Sequence, residues 1–260
     1  MENNQNINVD SQDPEELKDQ VLNLSQEIEY LRTTNQAMWF SLISISKKMQ
    51  VSSAAIKASV SSLLDYDIIW DGSTQYELLE IIDSSSDQVS KHATLLTLVF
   101  KINSNEFTLN PEPTEIYEIL SSVTRIVDGN YPEFTINFNT QTPGNPVFVD
   151  YEYLSIALVM LFELIIETQT LPQQLDLLAV ESKDDWFVDI EEIGKDIIDM
   201  LLKVSGREAN ELLQDVYLLP TNKLKLYVVR KIFDLQSIRI TTQPRIEAPM
   251  SIRLLIPTVK

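Results

Sequence analysis

The chain has 260 residues, with 20 basic against 39 acidic side chains and a formal net charge of −19. It contains no cysteine, one histidine and five glycines, whereas average usage would give about 18 glycines. These counts exclude disulfides, thiolate metal sites, multi-histidine metal sites and glycine-rich phosphate loops. Nucleic acid and membrane insertion are not expected, because nucleic acid and anionic membranes attract a basic surface and this chain is acidic.

The N-terminal segment, residues 1–13, is polar and is predicted to be a disordered tail. It lacks the basic start and the apolar stretch of a signal peptide. The longest apolar run, residues 154–166, is interrupted by Ser155 and Glu163 and is shorter than the ~20 residues that span a bilayer. We therefore expect a cytoplasmic protein.

A long helix is the first predicted element. Asp13 can cap it, Pro14 suits its first turn, and Glu16 completes a capping-box pattern. Apolar residues then recur in steps of four and three, and Asn35 falls at an a-type position, where asparagine fixes register and oligomer state. Residues 14–36 are predicted to form a parallel dimeric coiled coil, and the alternative is one amphipathic helix packed on its own domain. The dimerisation seam comprises Leu17, Val21, Leu24, Ile28, Leu31, Asn35, Met38, Leu42, Ile45 and Met49.

The same helix continues to about residue 66, and Gly72 with Ser73 marks a turn into a second helix over residues 74–103. Residues 37–103 are therefore predicted to form a helical hairpin, which a second copy completes as a four-helix bundle. The single histidine, His92, falls on or beside the apolar face of the second helix. It is interpreted as a packed structural residue, with a pH-sensitive layer of the bundle as the alternative.

Residues 104–112 are a predicted linker, and residues 113–260 a mixed α/β domain. Helical spacing occurs at 114–127, 151–167 and 222–235, and strand patterns occur at 135–139, 175–180, 186–190, 237–241 and 250–256. Residues 207–217 are predicted to form a short helix or an ordered loop. The whole chain is thus predicted to be α+β, with a sheet covered on one face by about three helices.

This order of elements resembles the sensor histidine kinases, from Asn35 onwards. Residues 45–52, ISKKMQVS, occupy the place of the family's H-box, and Asp150 with Leu154 and Leu158 is similar to the motif that leads into the N-box. The resemblance implies a dimerisation and phosphotransfer hairpin followed by an ATPase-like catalytic domain. Further similarities lie at residues 81–86 in the second hairpin helix, 107–109 in the link, 188–197 at the adenine segment, 224–233 after the ATP lid and 253–257 in the final strand.

The resemblance also implies that the residues which carry out phosphotransfer and bind the nucleotide in the family are lost in this chain. The phosphoacceptor histidine falls on Lys47 and the neighbouring acid on Lys48, and a lysine cannot form phosphohistidine. The two N-box asparagines fall on Met160 and Leu164, which offer no hard oxygen to Mg²⁺. At the adenine segment, the recognising aspartate falls on Glu192, the first glycine after it is kept as Gly194, and the second falls on Asp196. The glycines of the ATP lid fall around Asn222, Leu224, Lys225 and Leu226.

The sequence is therefore predicted to encode a histidine pseudokinase without ATP binding, autophosphorylation or any cofactor. It would be a homodimeric signalling scaffold whose partner is a response regulator or an active histidine kinase. A structural adaptor that uses the coiled coil and the degenerate domain as docking modules is the alternative. A phosphotransferase would need a histidine on the first helix, and a working ATPase would need the N-box asparagine and the lid glycines.

Two charged groups have competing interpretations. Lys47 and Lys48 are candidates for docking an acidic receiver-like partner. The competing interpretation is that both are solvated charges. The acidic residues near the adenine segment are interpreted as a solvated rim rather than as a cation site. They are Asp189, Glu191, Glu192 and Asp196.

Overall fold

The structure is a computed structural model that describes residues 14–65, 70–104, 106–140, 144–168, 174–182, 185–191, 213–214, 219–243 and 251–258. Its elements in chain order are α1 (Pro14–Leu63), α2 (Gly72–Asn103), β1 (Glu112–Thr114), α3 (Ile116–Asn130), β2 (Thr135–Thr140), β3 (Val147–Val149), α4 (Tyr151–Thr168), β4 (Gln174–Glu181), β5 (Asp185–Glu191), α5 (Pro220–Leu235), β6 (Arg239–Gln243) and β7 (Ser251–Pro257).

Helices α1 and α2 form a hairpin and pack against each other. The Asp71 carboxylate caps α2 by accepting the Thr74 N–H at 2.7 Å, and this hydrogen bonding lowers the pKa of Asp71. The Trp70 indole donates to the Ser62 carbonyl at 2.9 Å. The end of α1 is thereby tied to the residues just before α2.

The heptad seam of α1 divides into two parts. In its N-terminal part the apolar side chains are largely exposed, with Val21 at 63% and Ile28 at 50%. Farther along, Leu42 is 7% exposed and Ile45 is fully buried within this chain. Leu42 and Ile45 therefore have little surface left for a second copy, although the heptad pattern assigns both to the dimer seam.

The main sheet has the strand order β2-β4-β5-β7-β6. Strands β2 and β4 are parallel, and the other neighbouring pairs are antiparallel. Alternate residues such as Val188 and Ile190 are fully buried, as period-two strands with one covered face require. Helix α4 packs between α3 and α5, and the three helices share one apolar core with the strands. The predicted α+β class with a long N-terminal helix is confirmed.

A second, two-stranded sheet pairs β1 with β3 in antiparallel fashion. This sheet cannot be predicted from the sequence, because three residues are too few for a periodic pattern and β1 contains Pro113. Its partners are more than thirty residues apart in the chain. It places the linker residues beside the start of α4.

Some sequence predictions fall outside the described residues. Of the predicted short element at residues 207–217, only Leu213 and Gln214 are described, and Glu192 and Asp196 are not. None of the described helices combines the length and hydrophobicity of a membrane span.

Candidate functional site

A cavity of about 1060 Å³ lies between the helical hairpin and the α/β domain. Helices α1 and α2 form one wall, and α4 and α5 form the opposite wall. The resemblance assigns both the phosphoacceptor position and the N-box to this region. The charged or polar lining residues include Lys47, Lys48, Lys91, His92, Glu163, Glu167, Thr221, Asn222 and Lys225, and the apolar ones include Val51, Leu95, Ile126, Ile156, Val159, Met160 and Leu219.

Asp150 sets the position of α4. Its carboxylate caps the helix by accepting the Tyr153 N–H at 3.0 Å, and it also accepts the Asn110 N–H of the linker at 2.8 Å. The Asp150 N–H donates to the Gln236 side-chain oxygen at 2.8 Å. These contacts join the linker, the start of α4 and the end of α5.

The two N-box positions carry apolar side chains on α4. Met160 is 8% exposed and lines the cavity, whereas Leu164 is fully buried in the core. Neither side chain has an oxygen atom that can bind a hard cation. Across the described part of the chain, no three His, Cys, Asp or Glu side chains are grouped suitably for a metal ion.

The lid positions lie in regular helix. Residues 222–226 belong to the first turns of α5, which begins at Pro220. Leu224 and Leu226 are fully buried, and Asn222 is 7% exposed. Where the resemblance places flexible glycines, this chain has helical residues that contribute to the core.

The two lysines at the H-box position have different environments. Lys47 is exposed and lines the cavity, and it makes no ion pair or side-chain hydrogen bond with the residues described. Lys48 donates from Nζ to Thr221 Oγ1 on α5 at 2.8 Å. Lys48 therefore holds the hairpin against the chain's own domain, and Lys47 is the lysine with a side chain free to meet another molecule.

Glu163 connects three helices across the cavity wall. Its side chain is 6% exposed and lies 2.9 Å from Lys91 Nζ on α2 and 3.3 Å from Lys225 Nζ on α5. Lys225 also contacts Glu167 at 3.0 Å. In the sequence, Glu163 stands out only as an interruption of an apolar run. That interruption is the signal that could have revealed the contact, because a buried carboxylate needs a charged partner.

Replacing Glu163 with glutamine should destabilise the protein by about 2 kcal/mol, because Lys91 and the largely buried Lys225 lose a charged partner. The measurement is urea unfolding followed by circular dichroism. Glu167→Gln is the matched control on the same helix. Since the Glu167 side chain is 40% exposed, its loss should cost at most about 0.5 kcal/mol. Equal effects of the two substitutions would contradict the assigned role of Glu163.

His92 lines the cavity, so its side chain meets the α/β domain and is not confined to the apolar face of the hairpin. Its Nδ1 atom is buried and has no hydrogen-bond partner. Burial lowers the pKa of His92 below its ordinary value, and the charges of Lys48 and Lys225 lower this pKa further, while Glu167 opposes the shift. The imidazole is therefore neutral at pH 7.

Acidification should reduce the stability of the wild type more than that of His92→Gln. The folded-state pKa of His92 lies below the ordinary histidine value of 6.5, so the unfolded chain binds the proton more readily. The contribution of His92 is present above about pH 6.5 and is lost as the pH falls through the lower folded-state pKa. Urea unfolding at pH 7.5 and pH 5.5 measures the difference, and equal losses in the two proteins would argue against it.

Asp189 is not part of a solvated acidic rim, and this prediction is wrong for that residue. Its side chain is 4% exposed and accepts two hydrogen bonds of 2.6 Å from the Arg253 guanidinium on β7. These bonds raise the pKa of Arg253, and the guanidinium lies 4.7 Å from the centre of the Phe187 ring. The pair joins neighbouring strands β5 and β7, which is a structural role.

No family model and no curated protein matches the chain. Among solved structures, the chain is similar to the Acinetobacter baumannii histidine kinase AdeS, at 15% identity and a TM-score of 0.51, over 81% of this chain and 97% of that one. It is also similar to full-length ShkA in complex with AMPPNP, at 11% identity and a TM-score of 0.55, over 87% of this chain. It spans about half the length of ShkA, since the match covers 46% of that chain.

These similarities extend over both the hairpin and the α/β domain, because each covers more than four fifths of the chain. At such low identity they establish the fold and not the activity. The predicted histidine-kinase-like fold is confirmed.

Proposed function

We propose that this chain is a histidine-kinase-like scaffold that has lost the chemistry of its fold and acts through protein contacts. It would neither bind Mg–ATP nor phosphorylate itself. As a homodimer it would engage a partner of two-component signalling, either a response regulator or an active histidine kinase. The observation that carries this proposal lies on α4, where Met160 at the cavity and Leu164 in the core replace the oxygen-bearing side chains that a nucleotide-bound Mg²⁺ requires.

Three further features support the loss of kinase chemistry. Lys47 occupies the phosphoacceptor position, and α1 contains no histidine. The single histidine, His92, lies on α2 with its Nδ1 atom buried, which leaves that nitrogen inaccessible to a phosphoryl group. The helical start of α5 replaces the glycines that would cover a triphosphate.

The exposed stripe on α1 supports the dimer. Five apolar side chains at a and d positions are between 44% and 63% exposed in the single chain. They are too regularly spaced for isolated surface residues, and a parallel partner helix would bury them. They are Leu17, Val21, Leu24, Ile28 and Leu31.

Lys47 is the best candidate for docking a partner. Its ammonium is exposed and is not used by the described residues, and an acidic receiver-like surface complements it. Lys48 is a weaker candidate, because its ammonium already donates to Thr221. The adaptor alternative remains open, because the same exposed surfaces also suit a larger assembly.

A pull-down with the full chain separates these two functions. The wild type should recover a response regulator or a histidine kinase, and Lys47→Glu should reduce that recovery severalfold by reversing the docking charge. Lys57→Glu is the matched control, because Lys57 is exposed on the same helix outside the cavity. Recovery of structural or enzymatic proteins without any signalling protein would favour the adaptor and contradict the signalling scaffold.

A further inference from the structure

We propose that the cavity between the hairpin and the α/β domain binds a small organic carboxylate with an apolar body. The inference rests on the proposed function in one respect, since the cavity must not be occupied by Mg–ATP. The ligand would be the molecule to which the scaffold responds.

The charges around the cavity favour a ligand with a negative group. Four lysines and two glutamates line it, within a chain whose net charge is −19. Lys91 and Lys225 are engaged by Glu163 and Glu167. Lys48 donates to the neutral hydroxyl of Thr221, which leaves its charge unpaired within the described ranges. Lys47 makes no such contact with the described residues, and a carboxylate is a suitable partner for its ammonium group.

The apolar walls select the body of the ligand. Val51, Leu219 and Ile126 line the concave surface and are nonetheless 70%, 66% and 45% exposed. Met160 adds a flexible, polarisable wall from α4. A volume of about 1060 Å³ accommodates an acyl or aryl body, and binding such a body removes these side chains from water.

The same residues disfavour polyanions. Glu163 and Glu167 already engage Lys91 and Lys225, so these two ammonium groups are not available to a second or third negative charge. The oxygen ligands that a magnesium-bound phosphate would need are missing at Met160 and Leu164. Inorganic phosphate and Mg–ATP should therefore bind far more weakly than an apolar monoanion.

The position of the cavity gives the ligand a conformational effect. Lys47 and Val51 belong to α1, whereas Met160 belongs to α4. A ligand that touches both walls binds the arrangement with the hairpin against the domain better than a separated one. It therefore stabilises this arrangement by linkage.

Equilibrium dialysis of the full chain with radiolabelled decanoate, below its micellar concentration, tests the proposal. We expect saturable binding of one decanoate per chain, which unlabelled acetate and decanol displace poorly, because acetate lacks the body and decanol lacks the charge. Lys47→Ala should weaken binding about tenfold, since it removes one charge-assisted contact. Lys57→Ala, outside the cavity on the same helix, should leave binding unchanged.

Absence of saturable binding would overturn the proposal, as would equal affinities of the Lys47 and Lys57 variants or equal displacement by decanol. Val51→Asp provides a second variant at an exposed position, and its added negative charge should abolish binding. Adding Mg–ATP to the same dialysis distinguishes a failure of the proposed function from a failure of the proposed ligand. Stoichiometric displacement by Mg–ATP would overturn the proposed function, whereas failure of decanoate alone would overturn only the ligand.

Discussion

Replacing both Leu24 and Ile28 with glutamate should convert a dimer into a monomer. In the single chain these side chains are 57% and 50% exposed, although their heptad positions are those that face a partner helix in a coiled coil. Glutamate at both positions places four like charges in the seam of the dimer, where each charge would be removed from water. Light scattering after size exclusion should give twice the chain mass of 29.8 kDa for the wild type and the chain mass for the variant.

Asn23→Glu combined with Gln26→Glu is the matched control. Both residues are exposed on α1, and their heptad positions lie outside the seam, so this variant adds the same charge without entering the interface. It should remain a dimer. A monomeric wild type, or equal dissociation of the two double variants, would contradict the coiled coil.

Periodicity explains why much of the fold follows from the sequence. The helices α1, α2 and α4 each extend over many residues, so their apolar spacing identifies them without tertiary information. The structure begins α1 at Pro14 and α2 at Gly72, close to the proline and glycine signals that mark helix ends. The antiparallel strands β5 and β7 also alternate between buried and partly exposed residues over most of their length, with Asp189 and Ser251 as buried exceptions.

Contacts between distant segments explain what the sequence does not reveal. Lys48 reaches Thr221 across 173 positions of the chain, and Asp189 meets Arg253 across 64. Each residue taken alone has the pattern of a solvated charge, and only the packing of the elements shows its partner. The small sheet of β1 and β3 is hidden for the same reason, because its strands are short and separated by α3 and β2.

The candidate site, like the fold, can be predicted from the sequence only in part. The spacing from Asp150 along α4 places Met160 in the helix wall, and the structure has Met160 at the cavity and Leu164 in the core. The ion pairs of Glu163 and the position of His92 depend on how α2 meets α4, which no local pattern encodes. The sequence therefore leads more directly to the residues at the N-box positions than to the cavity itself.

Incubation of the purified chain with Mg²⁺ and γ-labelled ATP should incorporate no phosphate into the protein. Met160 and Leu164 cannot ligate the metal, and α1 has no histidine to accept the phosphoryl group. An active histidine kinase in the same assay is the positive control. His92→Gln would identify any label carried by the only imidazole.

The proposed absence of nucleotide binding also predicts how the melting temperature responds to Mg–ATP. A nucleotide present at 100 times its dissociation constant would stabilise the folded state by about 2.7 kcal/mol, which raises the melting temperature of a chain of this size by about 5 °C or more. The proposed loss of nucleotide chemistry predicts no shift in melting temperature at millimolar Mg–ATP and no labelled protein. A shift of several degrees together with acid-labile phosphate on the protein would contradict it.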